Sequence, residues 1–173
     1  MDVAVHVGTL AAVVLYFWTD VRAGLAGIPR MLMGKLDTPG SRLAFLLMVA
    51  TIPVIVIGLL LKVTGLDQMM RGIAVIGWTM LLFGLLLYWV DQKGGTKRTE
   101  NDWNRRDAFI MGLWQAVALI PGTSRSGITI TAARQLGYNR HDAAKLSMLM
   151  SIPTIFASGA LLSIEVIAKA DAT

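Results

Sequence analysis

The stretch Pro121-Gly122-Thr123-Ser124-Arg125-Ser126-Gly127 sets one charged group and three hydroxyls between two apolar segments, "AFIMGLWQAVALI" before it and "ITITAARQLG" after it. Arginine stays charged at any accessible pH, and its planar fork of donors suits phosphate or carboxylate bidentately. Any of the hydroxyls of Thr123, Ser124 and Ser126 can cap a following helix. Thr129 lies four residues past Arg125, on the same helical face. A helix starting here turns its free N–H groups and the positive end of its dipole toward the loop, and such ends bind anions. The residue types therefore describe an anion cradle whose natural guest is a phosphate. Arg125, Ser124 and Ser126 are the candidate catalytic groups, and Gly122, Thr123, Gly127 and Thr129 the candidate binding groups. Gln115, in the preceding segment, is placed to hydrogen-bond the loop or the guest. The competing reading is that Arg125 pairs with backbone carbonyls or a carboxylate elsewhere and simply pins the loop.

Other hydroxyl chemistries fit the pattern poorly. A G-x-S-x-G nucleophile elbow needs glycine where Ser126 stands, and the G-x-S-G pattern of intramembrane proteases needs glycine at position 124. Acid-phosphatase patterns place a histidine a few residues after their Ser-Arg pair, whereas the next histidine here is His141. No His, Asp or Glu cluster has metal-ligand spacing, so no metal ligand is assigned. His6, in the first apolar block, reads as a buried, hydrogen-bonded histidine.

The elements that must hold this loop follow from composition. The chain has 173 residues, is 55% hydrophobic with mean hydropathy +0.61, and is only 16% charged, against about 25% in soluble domains. Residues 43–61 and 146–164 each run 19 residues without a charge, residues 73–90 run 18, and residues 3–18 form a shorter fourth block. A helix needs about 20 apolar residues to cross the hydrocarbon core, so these blocks read as membrane spans. There is no cysteine, which excludes disulfide and thiol chemistry. Asp2 precedes the first block without any Lys or Arg, so a basic signal-peptide start is lacking. The net charge of +5 is read through its distribution over the connections. It points to topology and membrane lipid headgroups, with no nucleic acid.

Residues 19–42 and 91–107 read as polar connections holding nine Lys and Arg between them, against two in residues 62–72. The positive-inside rule places the first two on the cytoplasmic side. Residues 108–120 are 13 in number, about 20 Å as a helix, too short to cross. Pro121 and Gly122 then break the segment, a second short segment follows, and "YNRHDAAK" brings Arg140 and Lys145. Residues 108–137 are accordingly expected to form a re-entrant helix–loop–helix that enters from the basic side, turns at the loop and returns. Irregular backbone at depth is tolerated where it lines a wet cavity, so the loop is expected to line one. The rival is one bent span with Arg125 near its middle. Ala74, Gly77 and Gly84 fall at small-residue spacings that permit close helix approach.

The stretch "GLWQAVALIPGTSRSGITITAARQLG" resembles a signature region of the BacA family of undecaprenyl pyrophosphate phosphatases, with its P-G-x-S-R-S-G-x-T core matched at Pro121, Gly122, Ser124, Arg125, Ser126, Gly127 and Thr129. "DVAVHVGTLAAVVLYFW" and "LSMLMSIPTIFASG" are similar to family spans flanking that region. The resemblance implies a multi-pass hydrolase of the bacterial inner membrane. Such an enzyme removes the terminal phosphate of undecaprenyl pyrophosphate, recycles the lipid carrier for peptidoglycan synthesis and confers bacitracin resistance. It implies a divalent cation, Mg²⁺ or Ca²⁺, whose ligands are not evident here, and a fold of two inverted repeats; a homodimer is compatible with it. By the same resemblance Arg125 binds the pyrophosphate, and Ser124, Ser126 and Thr129 line its pocket. The family's earlier region of the form E-G-x-T-E-F-L-P-V-S-S-x-G-H, which supplies glutamates and a histidine, has no counterpart, so the chain reads as a fragment or a truncated member whose activity alone is in doubt. The expected fold is an all-α polytopic membrane protein, one membrane domain over 1–173, with about four transmembrane helices plus the re-entrant pair as part of an inverted-repeat fold. The alternative function is a non-catalytic lipid-phosphate transporter or flippase-like protein that uses the same anion site.

Overall fold

The structure, a computed structural model, describes residues 2–66 and 72–170, without the side chains of residues 2–7 and 161–170. The side chain of His6 and the connection 67–71 therefore lie outside the described residues. The helices run α1 Asp2–Tyr16, α2 Trp18–Leu32, α3 Pro39–Thr64, α4 Ile73–Lys93, α5 Arg105–Val117, α6 Arg125–Gln135 and α7 Arg140–Ala170, with a 3₁₀ turn at Glu100–Asp102. No strand occurs among the described residues, and the chain is an all-α membrane protein.

α3 and α4 are each long and apolar enough to cross a bilayer. They cover the expected spans at 43–61 and 73–90. The connection expected after the first span needs correction. Helix α1 stops at Tyr16, and α2 leaves it at 91°, so much of the stretch read as a polar connection is helical. Arg22, Arg30 and the glycines suggested a loop. Gly24 and Gly27, however, are buried in the contact with α3, and tertiary packing there overrides the weak helix propensity of glycine. The expected span at 146–164 lies within the 31 residues of α7, which is less apolar than α3 because it also takes in Arg140, Asp142, Lys145, Glu165 and Lys169, and along which Ser147, Ser151, Thr154 and Ser158 recur.

α3 starts on a capping box. Thr38 accepts from the Ser41 N–H at 3.2 Å, the Ser41 hydroxyl accepts from the Thr38 N–H at 3.2 Å, and Pro39 occupies the first helical position. The hairpin α5–α6 is seated between α3 and α7 on a core that includes Leu46, Ala50, Met111, Ala132, Leu146 and Met150. At Gly112 a Cβ would run into the Ala50 backbone, so α5 lies against α3 at a distance that only glycine allows.

The hairpin ends where it begins. Tyr138, just past α6, donates its hydroxyl to Asp107 Oδ2 in the first turn of α5 at 2.6 Å. Arg98 pairs with the same carboxylate and donates to the Leu136 carbonyl at 3.0 Å. A single bent span would hold these residues a membrane thickness apart. The same end gathers Lys145, paired with Glu100 at 2.6 Å and Asp20 at 3.1 Å, and Arg42, which donates to the Trp103 carbonyl at 2.9 Å. The two basic stretches thus meet at one end of the molecule.

Among the described residues no helix approaches the small residues of α4 as their spacing suggested. A Cβ at Gly77 or Gly84 would meet nothing within 4 Å. α4 instead turns Ile76 and Thr79 toward the loop at Gly122.

Candidate functional site

α5 begins on Asn104, whose side chain accepts from the Asp107 N–H at 3.0 Å, and it ends by tightening. The N–H groups of Ala118, Leu119 and Ile120 donate to the carbonyls three residues back, and Thr123 does the same to Ile120 at 3.1 Å. Gly122 has φ +90°, a left-handed conformation that costs L side chains. A Cβ there would also clash with the Thr79 hydroxyl and come within 2.5 Å of the Ile76 carbonyl oxygen. Thr79 donates to the Pro121 carbonyl at 2.7 Å. The turn is therefore fastened to α4, and glycine is required at its apex for both conformation and room.

Ser124 is the N-cap of α6, its Oγ accepting from the Gly127 N–H at 3.2 Å. Its own O–H remains free to donate, its side chain is exposed, and the described residues leave that side of the loop open. Ser126 Oγ lies 3.4 Å from Ser124 Oγ, so the two hydroxyls form a pair at the helix start. Arg125 opens the helix, is half-buried, and among the described residues makes one long contact, 3.4 Å from Nη1 to the Ser151 carbonyl of α7. Its donors are almost unspent.

The contrast with Arg134, which the sequence reading passed over, is instructive. Arg134 is 1% exposed and donates to Asp91 Oδ1, to the carbonyls of Asp91, Gly94 and Gly95, and to that of Tyr138. It joins the C-terminal end of α4 to the end of the hairpin, with every donor occupied. Of the two arginines on α6, one holds the fold together and the other is held ready.

Thr129 is placed differently from the expectation that it lines a pocket. It is 1% exposed, and its hydroxyl lies 2.9 Å from the Arg125 carbonyl, 3.2 Å from that of Ser126, and 2.6 Å from Ser147 Oγ. It serves the backbone of the first turn. Gln115 is 1% exposed and donates from Nε2 to Thr154 Oγ1 at 3.0 Å, while its Oε1 has no partner among the described residues. It meets α7 one turn beyond the Ser151 carbonyl. The Thr123 hydroxyl is buried, likewise without a partner among the described residues. Gly127 keeps the helix start narrow, a Cβ there meeting Ser124 Cβ at 3.2 Å.

The residues missed from sequence are Ser147, Ser151 and Thr154. Their spacing of four and three puts them on one face of α7, and that regularity within an apolar run was the available signal. A cavity of about 540 Å³ lies elsewhere, between α2, α3 and the Glu100–Asp102 turn, bordered by Asp20, Arg42, Trp103 and Leu146. None of residues 121–129 borders it, and the chemistry sits with the unspent donors instead. Among the described residues no three His, Cys, Asp or Glu side chains are grouped to hold a metal ion. The residues around the loop are hydroxyls, an amide and a guanidinium, a set that does not fit the divalent cation implied by the resemblance.

The chain is 69% identical over 172 residues to the undecaprenyl-diphosphatase of Jannaschia sp. (strain CCS1), covering 99% of this chain and 64% of that protein. It is 66% identical over 171 residues to the undecaprenyl-diphosphatase of Dinoroseobacter shibae and 66% identical over 172 residues to that of Ruegeria pomeroyi, again with 99% of this chain and 64% of each relative covered. The chain thus spans about 64% of the length of the curated relatives it matches. The family model for the bacitracin resistance protein BacA matches residues 1–173. With the P-G-x-S-R-S-G-x-T loop folded as a capped helix start around an unspent arginine, this chain belongs to the BacA family of bacitracin resistance proteins.

Proposed function

We propose that this chain carries the phosphate-gripping part of an undecaprenyl-diphosphatase, which hydrolyses undecaprenyl pyrophosphate to undecaprenyl phosphate and inorganic phosphate in the bacterial inner membrane. One observation carries the reading above the others. Arg125 opens a helix between two serines whose hydroxyls pair at 3.4 Å, and among the described residues its half-buried side chain makes a single contact, 3.4 Å to a carbonyl. A desolvated cation with free donors is costly unless a ligand completes it, and a terminal phosphate matches its fork.

In that role Arg125 binds non-bridging oxygens of the terminal phosphate. The hydroxyls of Ser124 and Ser126 and the first N–H groups of α6 approach from the helix end. As the anhydride bond breaks, charge on the transferring group and on the leaving lipid phosphate is met by donors already in place, which is where such a site lowers the barrier. Recycling of the lipid carrier for peptidoglycan synthesis and resistance to bacitracin follow from the same activity. A divalent cation would arrive bound to the pyrophosphate itself.

The test is to measure binding of undecaprenyl pyrophosphate and release of phosphate by the purified chain in detergent, beside Arg125→Ala. Binding that Arg125→Ala abolishes supports the reading. Binding without phosphate release favours the carrier or transporter alternative. Equal binding by both proteins overturns the assignment of Arg125.

A further inference from the structure

We infer that Ser147 of α7 is a positioning residue for the phosphate loop, acting through Thr129 on the first turn of α6; the inference rests on the function proposed above. The Thr129 hydroxyl has one proton and three oxygens within reach: the carbonyls of Arg125 at 2.9 Å and Ser126 at 3.2 Å, and Ser147 Oγ at 2.6 Å. Donation to a carbonyl one turn back is the local habit of helical threonine. Ser147 then supplies the proton of the 2.6 Å contact, with the Ser126 carbonyl at 3.4 Å as its second acceptor. Both residues are buried, Thr129 at 1% and Ser147 at 3% exposure. No solvent replaces either bond, and losing one leaves a buried polar group unsatisfied.

The placement gives this bond a task. The two carbonyls it reaches belong to Arg125 and Ser126, the residues whose side chains face the guest. One turn further along α7, the Ser151 carbonyl holds the resting guanidinium of Arg125. α7 therefore grips the start of α6 at two successive levels, the backbone through Ser147 and the guanidinium through Ser151. The Ser147–Thr129 bond sets the register between them. Small displacements of positioned groups cost binding and rate out of proportion to their size. Ser147 touches no phosphate in this arrangement; it fixes the groups that do.

A double-mutant cycle tests this. Affinity for undecaprenyl pyrophosphate is measured in detergent for the chain, Ser147→Ala, Thr129→Val and the double variant, with Arg125→Ala alongside and melting temperatures recorded for all. Ser147→Ala and Thr129→Val are each expected to weaken binding about tenfold. The double variant should be no weaker than either single one, and Ser147→Thr, which keeps the hydroxyl, should bind like the unaltered chain. Wild-type affinity in Ser147→Ala, or losses that simply add, overturns the inference while leaving the role of Arg125 intact. A loss of affinity that only tracks a lowered melting temperature also overturns it, since Ser147 would then be structural. If the unaltered chain does not bind the lipid, the proposed function falls and this inference with it.

Discussion

Tyr138 and Asp107, 31 residues apart, are joined by a hydroxyl-to-carboxylate bond of 2.6 Å that closes the α5–α6 hairpin at its base. The tyrosine is fully buried, and Arg98 lies over its ring with the guanidinium carbon 4.5 Å from the centroid while pairing with the same carboxylate. Burial, followed by the bond to Asp107, holds the phenol well above its ordinary pKa, so it stays a donor throughout the accessible pH range.

Tyr138→Phe removes that donor without changing the ring. A buried hydrogen bond to a charged group contributes about 1.5–3 kcal/mol, and the melting temperature in detergent is expected to fall accordingly. An unchanged midpoint would mean that Arg98 and Asn104, which donates to the same oxygen at 3.0 Å, suffice to close the base.

The two arginines of α6 should part company under substitution. Arg134→Ala leaves the carbonyls of Asp91, Gly94, Gly95 and Tyr138 without their charged donor while Asp91 keeps its pairing with Arg140, a loss of about 1.5–3 kcal/mol for each buried bond to a charged group, to be read as poor folding yield and a lowered midpoint. Arg125→Ala is expected to keep the midpoint and lose the phosphate lipid. Similar midpoints for both variants would contradict the division of labour described above.

Gly122→Ala forces a side chain into a left-handed position already filled by Thr79 and the Ile76 backbone. Strain of this kind costs about 1–3 kcal/mol, and the turn has to leave α4 to relieve it. Protease cleavage near residue 122 should accelerate and lipid affinity should drop. Thr79→Val, which removes the hydroxyl that reaches the Pro121 carbonyl at 2.7 Å and the Val75 and Ile76 carbonyls of its own helix at 2.9 and 3.0 Å, should give a milder form of the same result.

Asp142 gives the basic end a pH dependence. Burial pushes its carboxyl up, but the bonds from His141, from the Asn139 amide and from the Glu100 N–H outweigh that and hold it below the ordinary carboxylate range. A depressed carboxyl binds its proton less readily folded than unfolded. Its stabilising contribution is complete above the unfolded value of about 3.9 and is lost as pH falls through the lower folded value. Fluorescence of the buried Trp103, adjacent to the Glu100–Asp102 turn, should report loosening below about pH 4, and Asp142→Asn should weaken that acid transition.

What could be read from the residues alone was set by periodicity and by the special chemistry of a few types. The uncharged runs gave α3 and α4, and the Pro121-Gly122 break gave the hairpin and its turn. That a hydroxyl of Thr123, Ser124 or Ser126 caps the second helix could be read, but that it is Ser124 emerges only from the fold. The bend at Phe17 was hidden because Arg22, Pro29 and several glycines look like a loop until the burial of Gly24 and Gly27 against α3 is known. Arg134 was hidden for the opposite reason: nothing local marks a cation whose acceptors lie some 40 residues away on α4 and in the connection after it. Thr129 was read by its helical face, which is correct, but the face it shares with α7 is one that only packing reveals.

The fastening of α4 has a geometric consequence. It grips the hairpin at two heights, Thr79 at the turn and Asp91 at the base. Twelve residues of helix separate them, a rise of about 18 Å, in a hydrocarbon layer about 30 Å thick. α4 is thus a depth gauge. It sets how far below the basic surface the arginine waits, and any change in the tilt of this one helix within the bilayer would raise or lower the loop with it.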